Sequence, residues 1–361
     1  LAKAAARVPT QASDSMSSAF ESFVQSHNQR WLHDYALYRV LKTRHDERPW
    51  PEWSPEYVCR DAAALGELEE SAHEAITRIK VLQFLFAYQW TALHTYANEH
   101  GVQLLGDMPI YIALDSADAW AHPELLRITS DGQPEYVAGV PPDYFSADGQ
   151  LWGNPLYDWN YHAETGYRWW TDRLHHAATL AHMVRIDHFR GFESYWSVPA
   201  AATTARDGQW EPGPGHAIFD AFRAATGKVP IIAEDLGVIT PAVEELRDQQ
   251  QIPGMRVLQF DVVDDEFELD AIRENCVCYT GTHDNDTTVG WFSGASAIGL
   301  QTTDEISAFQ KIVLERTHGH AENIHCDMIR LAFASEAKLA IAPLQDYLGL
   351  GSEARLNTPG T

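Results

Sequence analysis

Apolar residues recur every three or four positions in two long segments near the start of the chain. From Ser18 to Thr43, residues such as Phe20 and Trp31 fall on one side of a helix, as this period requires. From Ala72 to His100 the same period continues, and Gly101 is well placed to end the second segment. We therefore predict two amphipathic helical regions within the first 100 residues.

After Gly101 the pattern changes to short apolar runs without polar alternation, separated by helical patterns. Strands that are apolar on both faces indicate a parallel sheet covered by helices, so the predicted class is α/β. The sequence lacks the glycine-rich phosphate turn of a doubly wound nucleotide-binding sheet, and we therefore favour a (β/α)8 barrel. Six runs are two fewer than a barrel has strands, which fits a chain that starts partway through a longer protein. The six predicted strands are Val102 to Met108, Met183 to Asp187, Val229 to Glu234, Met255 to Phe260, Cys276 to Asp284 and Lys338 to Gln345.

The charge and composition narrow the range of partners. The 361 residues include 26 Lys and Arg against 51 Asp and Glu, a formal net charge of −25. Because no basic run can follow a phosphate backbone, we expect neither nucleic acid nor an anionic membrane as a partner. No apolar run reaches the roughly 18 residues of a membrane span, and no signal peptide is recognisable, so we expect a cytoplasmic protein. The four cysteines are too few for a disulfide framework and are expected to be core thiols in a reducing compartment.

Acidic residues follow or end four of the predicted strands, at Asp107, Asp187, Glu234 and Asp284. The loops at the carboxyl ends of strands are where α/β enzymes hold their active sites. Arg185 and Asp187 are two residues apart on one strand and therefore share a face, so the guanidinium would keep the carboxylate ionised. An ionised carboxylate suits a nucleophile; the alternative is a structural ion pair.

Glu234 directly follows an apolar run. Burial there, together with any nearby carboxylate, would raise its pKa so that it holds a proton near neutral pH. That property suits a general acid, whereas the alternative is a structural role. Asp235, on the opposite face of the strand, is predicted to cap the following turn.

A third cluster places His283, Asp284 and Asp286 within four residues. These residue types bind zinc or manganese at the strand ends of barrel hydrolases, so a metal site is one interpretation. The other is a stabilising carboxylate beside a hydrogen-bonding histidine, with Asp286 as a turn cap.

Two adjoining stretches, Ala138 to Ser146 and Leu151 to Trp159, are predicted to form a loop stiffened by proline and glycine. Its rings at Tyr144, Phe145 and Trp152 can stack on sugar rings, or can instead fill a small core within the loop. Carboxylates at three strand ends are also typical of enzymes that cleave glycosidic bonds, where retaining enzymes hold a pair about 5–5.5 Å apart.

Six sequence blocks carry a resemblance to a known family: G-D-M-P-I-Y with D-S-A-D-A-W (106–120), G-V-P-P-D-Y-F (139–145), R-I-D-H-F-R-G (185–191), A-E-D-L-G (233–237), G-T-H-D-N-D-T (281–287) and R-L-N-T-P-G-T (355–361). They strongly resemble the amylomaltases, which are the 4-α-glucanotransferases of glycoside hydrolase family 77, and the match runs in order from about Ser18 to the last residue.

The resemblance implies a barrel whose first strands and S-P-Y-Q motif have no counterpart in this sequence. It implies that residues 1–100 precede the third barrel strand and include part of an inserted helical subdomain. Residues 101–361 would hold strands 3–8, with an inserted substrate-loop region at about 116–170.

The resemblance also implies an activity and a role for each matched residue. Asp187 would be the nucleophile, Glu234 the general acid/base and Asp284 the stabiliser of the transition state. The partners would be α-1,4-glucans and maltooligosaccharides, with no metal and no organic cofactor. The alternatives are a metal-dependent barrel hydrolase and a non-catalytic glucan-binding protein. The residues that would contact substrate are Arg185, His283, Asp107, Tyr144, Phe145, Trp152 and Asn357.

Overall fold

The computed structural model describes residues 14–142, 146–227, 231–294 and 302–358. The chain divides into two compact units, one of Leu1–Val184 with Gly191–Val229 and the other of Arg185–Arg190 with Pro230–Thr361. Tyr144 and Phe145 lie outside the described residues.

Helices dominate the first half of the first unit, as the sequence predicts. The region from Ser18 to Thr43 forms two helices joined by a π-helical turn, Asn28–Leu32, and the long fifth helix ends where Gly101 adopts a φ of +70°. The buried core of these helices includes Leu37 and Leu41. The helices of this unit are α1 (Asp14–His27), α2 (His33–Arg44), α3 (Pro55–Val58), α4 (Ala62–Ser71), α5 (His73–Glu99), α6 (Ala117–Ala121), α7 (Trp159–Glu164), α8 (Arg168–Leu180) and α9 (His216–Thr226).

The strands confirm the mixed α/β class. In chain order they are β1 (Leu105–Pro109), β2 (Tyr136–Val140), β3 (Gln150–Pro155), β4 (Met183–Asp187), β5 (Ser194–Pro199), β6 (Gln209–Pro212), β7 (Ile231–Ala233), β8 (Gly254–Val257), β9 (Cys276–Tyr279) and β10 (Leu339–Ile341). Each of the six predicted apolar runs overlaps one strand, namely β1, β4, β7, β8, β9 or β10. Several are shorter than predicted. The strand β8 ends before a helix that starts at Leu258. Gln345 lies in a helix rather than in β10, and Pro343, whose ring fixes φ, directly precedes that helix.

The sequence prediction of a loop at 138–146 and 151–159 is partly wrong. β2 and β3 pair as an antiparallel hairpin, within a four-stranded sheet of order β3-β2-β5-β6. Glycine and proline interrupt these strands and obscure their alternation, and Gly139 stands where a Cβ would collide with the Gln150 carbonyl. Trp152 therefore lies on a strand. Asp107 is also misplaced by the prediction, because it is the exposed middle residue of β1 rather than its end.

The second unit contains a parallel sheet of order β10-β9-β8, in which Tyr279 is the register partner of both Val257 and Ile341. β4 is the central strand of the order β1-β4-β7 and enters the second unit at Arg185. Leu258 belongs to the buried core of this unit. Its helices are α10 (Pro241–Gln249), α11 (Leu258–Asp261), α12 (Thr288–Phe292), α13 (Thr303–Thr317), α14 (Ile324–Ala334) and α15 (Leu344–Tyr347).

Cys276 and Cys278 are buried in β9 and unpaired, as expected for core thiols. The prediction is wrong for Cys59, which is exposed, and Cys326 is only half-buried. Burial raises the pKa of the Cys276 thiol to about 12 and that of Cys278 to about 11, so both are protonated at neutral pH. Over the described ranges, no helix combines the length and apolar character needed to cross a bilayer.

Candidate active site

The carboxyl end of β4 carries an ion pair, as the sequence predicts. Arg185 is 6% exposed, and its Nη2 donates to Oδ1 of Asp187 at 3.3 Å. Ile186 between them is fully buried on the other face of the strand, which is the alternation that brings the pair together. The side chain of Asp187 is 43% exposed, so its carboxylate is both paired with a guanidinium and accessible.

Glu234 immediately follows β7, and its carboxylate is held by backbone N–H groups. The N–H of His188 donates to Oε2 at 2.7 Å, and the N–H of Leu236 donates to Oε1 at 3.2 Å. His188 has a φ of +56°, a left-handed conformation that turns the chain directly after Asp187. The segments that follow β4 and β7 are therefore bonded to each other at the two candidate catalytic acids.

The protonation of Glu234 is strongly shifted by this environment. The pKa of its carboxyl is raised to about 7, chiefly by burial and next by the nearby Asp187 carboxylate. The hydrogen bond from His188 and the charge of Arg185 act in the opposite direction but are weaker. Two neighbouring carboxyl groups with separated protonation states are the usual arrangement of an acid and a nucleophile.

Asp235 does not cap the turn after β7, so that prediction is wrong. Its side chain is buried, accepts a hydrogen bond from the Met255 N–H at 2.7 Å and forms an ion pair with Arg247. Gly254 is required beside it, because a Cβ there would lie 2.5 Å from an Asp235 oxygen. Asp235 thus attaches the Glu234 segment to the start of β8.

The third acid, Asp284, lies in the segment between β9 and α12, and its side chain is 51% exposed. Nδ2 of Asn357 donates to Oδ1 of Asp284 at 2.9 Å and to the His283 carbonyl at 3.3 Å. Nη2 of Arg355 donates to the Asp284 carbonyl at 3.1 Å. His283 Nε2 lies 3.4 Å from the other carboxylate oxygen. The structure therefore brings two of the predicted substrate-binding residues, His283 and Asn357, to the candidate stabiliser.

Asp286 is 6% exposed and accepts a hydrogen bond from the Ser352 hydroxyl at 2.7 Å. It does not cap α12, because the cap is Thr287, whose side chain accepts from the Gly290 N–H. A search of the described ranges for three or more His, Cys, Asp or Glu side chains arranged to hold a metal ion finds no such group.

Two further predicted substrate residues belong to the first unit. Asp107 is exposed on β1, and Trp152 is 38% exposed on β3 with its ring centroid 6.3 Å from that of Tyr111. Tyr144 and Phe145 remain predictions, because they fall outside the described residues.

Three residues that were not predicted hold the acids or their loops in place. The backbone N–H of His188 donates to the Glu234 carboxylate, the Ser352 hydroxyl to the Asp286 carboxylate, and the Arg355 guanidinium to the Asp284 carbonyl. His188 lies within the block 185–191 and Arg355 within the block 355–361, and Ser352 lies just before the second block. These two motifs were the sequence signal for the three contacts.

Comparison with known proteins agrees with this arrangement. The family described as 4-alpha-glucanotransferase, glycoside hydrolase family 77, matches residues 1–361. The 4-alpha-glucanotransferase of Thermus thermophilus is 46% identical over 339 residues, covering 91% of this chain and 66% of the relative. That of Synechocystis is 46% identical over 348 residues, covering 95% of this chain and 67% of the relative.

The solved structure of the amylomaltase from Streptococcus agalactiae in complex with acarbose superimposes with a TM-score of 0.87 at 34% identity. The superposition covers 97% of this chain and 69% of that chain. The chain thus spans about two thirds of the length of the relatives it matches. Because the family match extends over the whole chain, the chain belongs to the 4-alpha-glucanotransferases of glycoside hydrolase family 77.

Proposed function

We propose that the protein is a 4-α-glucanotransferase that moves a segment of an α-1,4-glucan to the 4-hydroxyl of an acceptor glucan or glucose with retention of configuration. The observation that carries the proposal is the environment of Glu234. Burial raises the pKa of Glu234 to about 7, and the neighbouring Asp187 carboxylate, paired with Arg185, contributes to that rise. Membership of the 4-alpha-glucanotransferase family indicates that the bond on which these two acids act is the linkage of an α-1,4-glucan.

In the first half of the reaction, an Asp187 oxygen attacks the anomeric carbon. A bond forms between that oxygen and C1 while the bond from C1 to the leaving 4-oxygen breaks. Glu234 gives its proton to the leaving oxygen, so the departing chain ends in a free 4-hydroxyl. Asp284, held by Asn357, stabilises the positive charge that develops on the sugar ring.

In the second half, Glu234 has become a base and removes the proton from the acceptor 4-hydroxyl. The acceptor oxygen bonds to C1, the bond from C1 to Asp187 breaks, and the second inversion restores the α-linkage. No metal or organic cofactor takes part in these steps.

The binding roles and the barrel belong to the same proposal. Asp107 and Trp152, with Tyr144 and Phe145, are proposed to contact the glucan, because Asp107 lies in the first family block and the three aromatic residues lie in the substrate-loop region that the resemblance implies. Arg185 and His283 are proposed to flank the donor sugar. The order β1-β4-β7 and the parallel order β8-β9-β10 support a (β/α)8 barrel built from the predicted strands. The complex of the Streptococcus agalactiae relative with acarbose supports an oligosaccharide as ligand.

The test is to incubate the full-length protein with maltotriose, with and without exhaustive EDTA treatment, and to resolve the products. We expect glucose and a ladder of longer maltodextrins under both conditions. Glucose and maltose alone would identify a hydrolase, and loss of activity with EDTA would identify a metal-dependent enzyme. Maltotriose that binds but stays unchanged would identify a glucan-binding protein. Any of these three outcomes would overturn the proposal.

A further inference from the structure

Asp346 is a fully buried acid that neither the sequence analysis nor the proposed reaction uses. It follows β10 in the short helix α15 and is 0% exposed. Its Oδ2 accepts hydrogen bonds from the hydroxyl of Thr280 at 2.7 Å and from the hydroxyl of Thr288 at 2.8 Å. Its Oδ1 accepts from the Thr288 backbone N–H at 2.7 Å. Burying a carboxyl group costs free energy unless it is hydrogen-bonded, and these hydrogen bonds join the elements that supply the donors.

The two threonines are the ends of one loop. Thr280 directly follows β9, and Thr288 is the first residue of α12, so the segment 281–287 runs from one donor to the other. This segment, the Asp284 loop, carries the candidate stabiliser of the transition state. A single carboxylate therefore closes the Asp284 loop at its base, and both threonines are themselves fully buried.

The Asp284 loop accepts two further hydrogen bonds from the segment that follows Asp346. Ser352 donates to the Asp286 carboxylate, and Asn357 donates to that of Asp284. Both partners come from the segment that follows Asp346 in the chain. Residues that follow β10 thus bind the Asp284 loop at three places. Asp346 binds the two threonines at its base, and other residues bind the carboxylates of Asp286 and Asp284.

We propose that Asp346 is a positioning residue for Asp284: by joining Thr280 to Thr288 it fixes the loop so that the Asp284 carboxylate is in place when positive charge develops on the sugar. This inference rests on the proposed function. A displacement of about 1 Å in a group that acts only in the transition state lowers turnover by up to about 100-fold while ground-state binding changes little. Loss of Asp346 therefore lowers kcat and leaves KM nearly constant.

The variants that test this are Asp346→Asn and Thr280→Val, with Thr280→Ser as the conservative partner. Asp346→Asn keeps the size of the side chain, but one of its two acceptor oxygens becomes an N–H donor that faces the threonine hydroxyls. Thr280→Val removes one donor at constant volume, whereas Thr280→Ser keeps that donor. Asp327→Asn is the matched control, because Asp327 is another poorly exposed acid of the second unit and its partners are Arg330 and the His320 N–H.

Two measurements are made on the full-length variants: kcat and KM for maltotriose disproportionation, and hydrogen–deuterium exchange of the amides of residues 280–288. We expect Asp346→Asn and Thr280→Val to lower kcat at least about tenfold, to keep KM within about twofold and to accelerate exchange in the loop. Thr280→Ser and Asp327→Asn are expected to keep kcat within about threefold. If Asp346→Asn does not fold, the valine and serine pair at Thr280 gives the same comparison.

The proposal is overturned if kcat of folded Asp346→Asn or Thr280→Val stays within about twofold of the wild type, or if Thr280→Ser loses as much as Thr280→Val. It is also overturned if loop exchange is unchanged. A wild type that leaves maltotriose unaltered would refute the proposed transferase and with it a catalytic role for the loop. The exchange comparison would separately show whether Asp346 fixes the loop, so the two failures are distinct.

Discussion

The segment after β7 and the segment after β9 have the same arrangement of two acids. Each carries one candidate catalytic acid and one buried acid that attaches the segment to its surroundings. Asp235 serves this purpose beside Glu234 through Arg247 and the start of β8, and Asp286 serves it near Asp284 through the Ser352 hydroxyl. In both segments, the less exposed of the two acids is the one with a structural role.

The two segments differ in how they treat the catalytic acid. Glu234 accepts hydrogen bonds from backbone N–H groups in a buried position, and its pKa rises to about 7. Asp284 is half exposed and is held by the side chain of Asn357. The segment after β7 thus raises the pKa of its catalytic acid, whereas the segment after β9 fixes the position of the Asp284 carboxylate.

Removing the two acids that share the proton chemistry is expected to have the largest effect. Asp187→Asn and Glu234→Gln should each lower kcat by about three orders of magnitude or more, measured by maltotriose disproportionation. Glu244→Gln, on the exposed side of α10, is the control and should retain wild-type turnover.

An activated donor separates the two roles. α-Glucosyl fluoride needs no proton on its leaving group, so Glu234→Gln should regain much of the first half-reaction with this donor, whereas Asp187→Asn should not. Near-normal maltotriose activity in either variant, or equal rescue of both, would refute the assignment of a nucleophile and an acid.

A smaller effect is expected at Asn357, which belongs to the second segment. Asn357→Ala should lower kcat by about 10- to 100-fold with KM within about threefold, because it releases the Asp284 carboxylate without removing it. Steady-state kinetics with maltotriose give both values. A rise in KM with little change in kcat would instead make Asn357 a substrate-binding residue, as the family motif implies, and the second segment would then not depend on it for position.

The sequence predicted the elements whose physical signals are local. β4 and β7 lie in short apolar runs that end in an acid, and this made Asp187 and Glu234 visible as acids at strand ends. The raised pKa of Glu234 was also predictable, since burial is its largest cause. The antiparallel strands β2, β3, β5 and β6 were not predicted, because their pairing joins distant short segments in which proline and glycine weaken the period.

Positions fixed by contacts between distant residues were also not predicted. Asp346 follows an apolar run just as Glu234 does, so the same signal was present, but only the structure shows that its partners are Thr280 and Thr288. Asn357 was assigned from its motif, and its hydrogen bond to Asp284 spans 73 positions of sequence. A sequence pattern does not encode such a distance.

Glu234 holds a proton near neutral pH because its carboxyl group is buried beside Asp187. The free energies of unfolding of the wild type and of Glu234→Gln, measured from pH 4 to pH 8.5, test it without any activity assay. The pKa of this carboxyl is about 7 in the folded protein against a usual value of 4.5, so between these values the folded state binds a proton that the unfolded state has lost.

The stability contributed by protonated Glu234 is therefore complete below about pH 4.5 and is lost as the pH rises through 7. We predict that the unfolding free energy of the wild type falls relative to that of Glu234→Gln by about 3 kcal/mol across this range. The hydrogen bonds that glutamine cannot reproduce add an offset that does not depend on pH. A difference between the two proteins that stays constant from pH 4 to pH 8.5 would contradict the account.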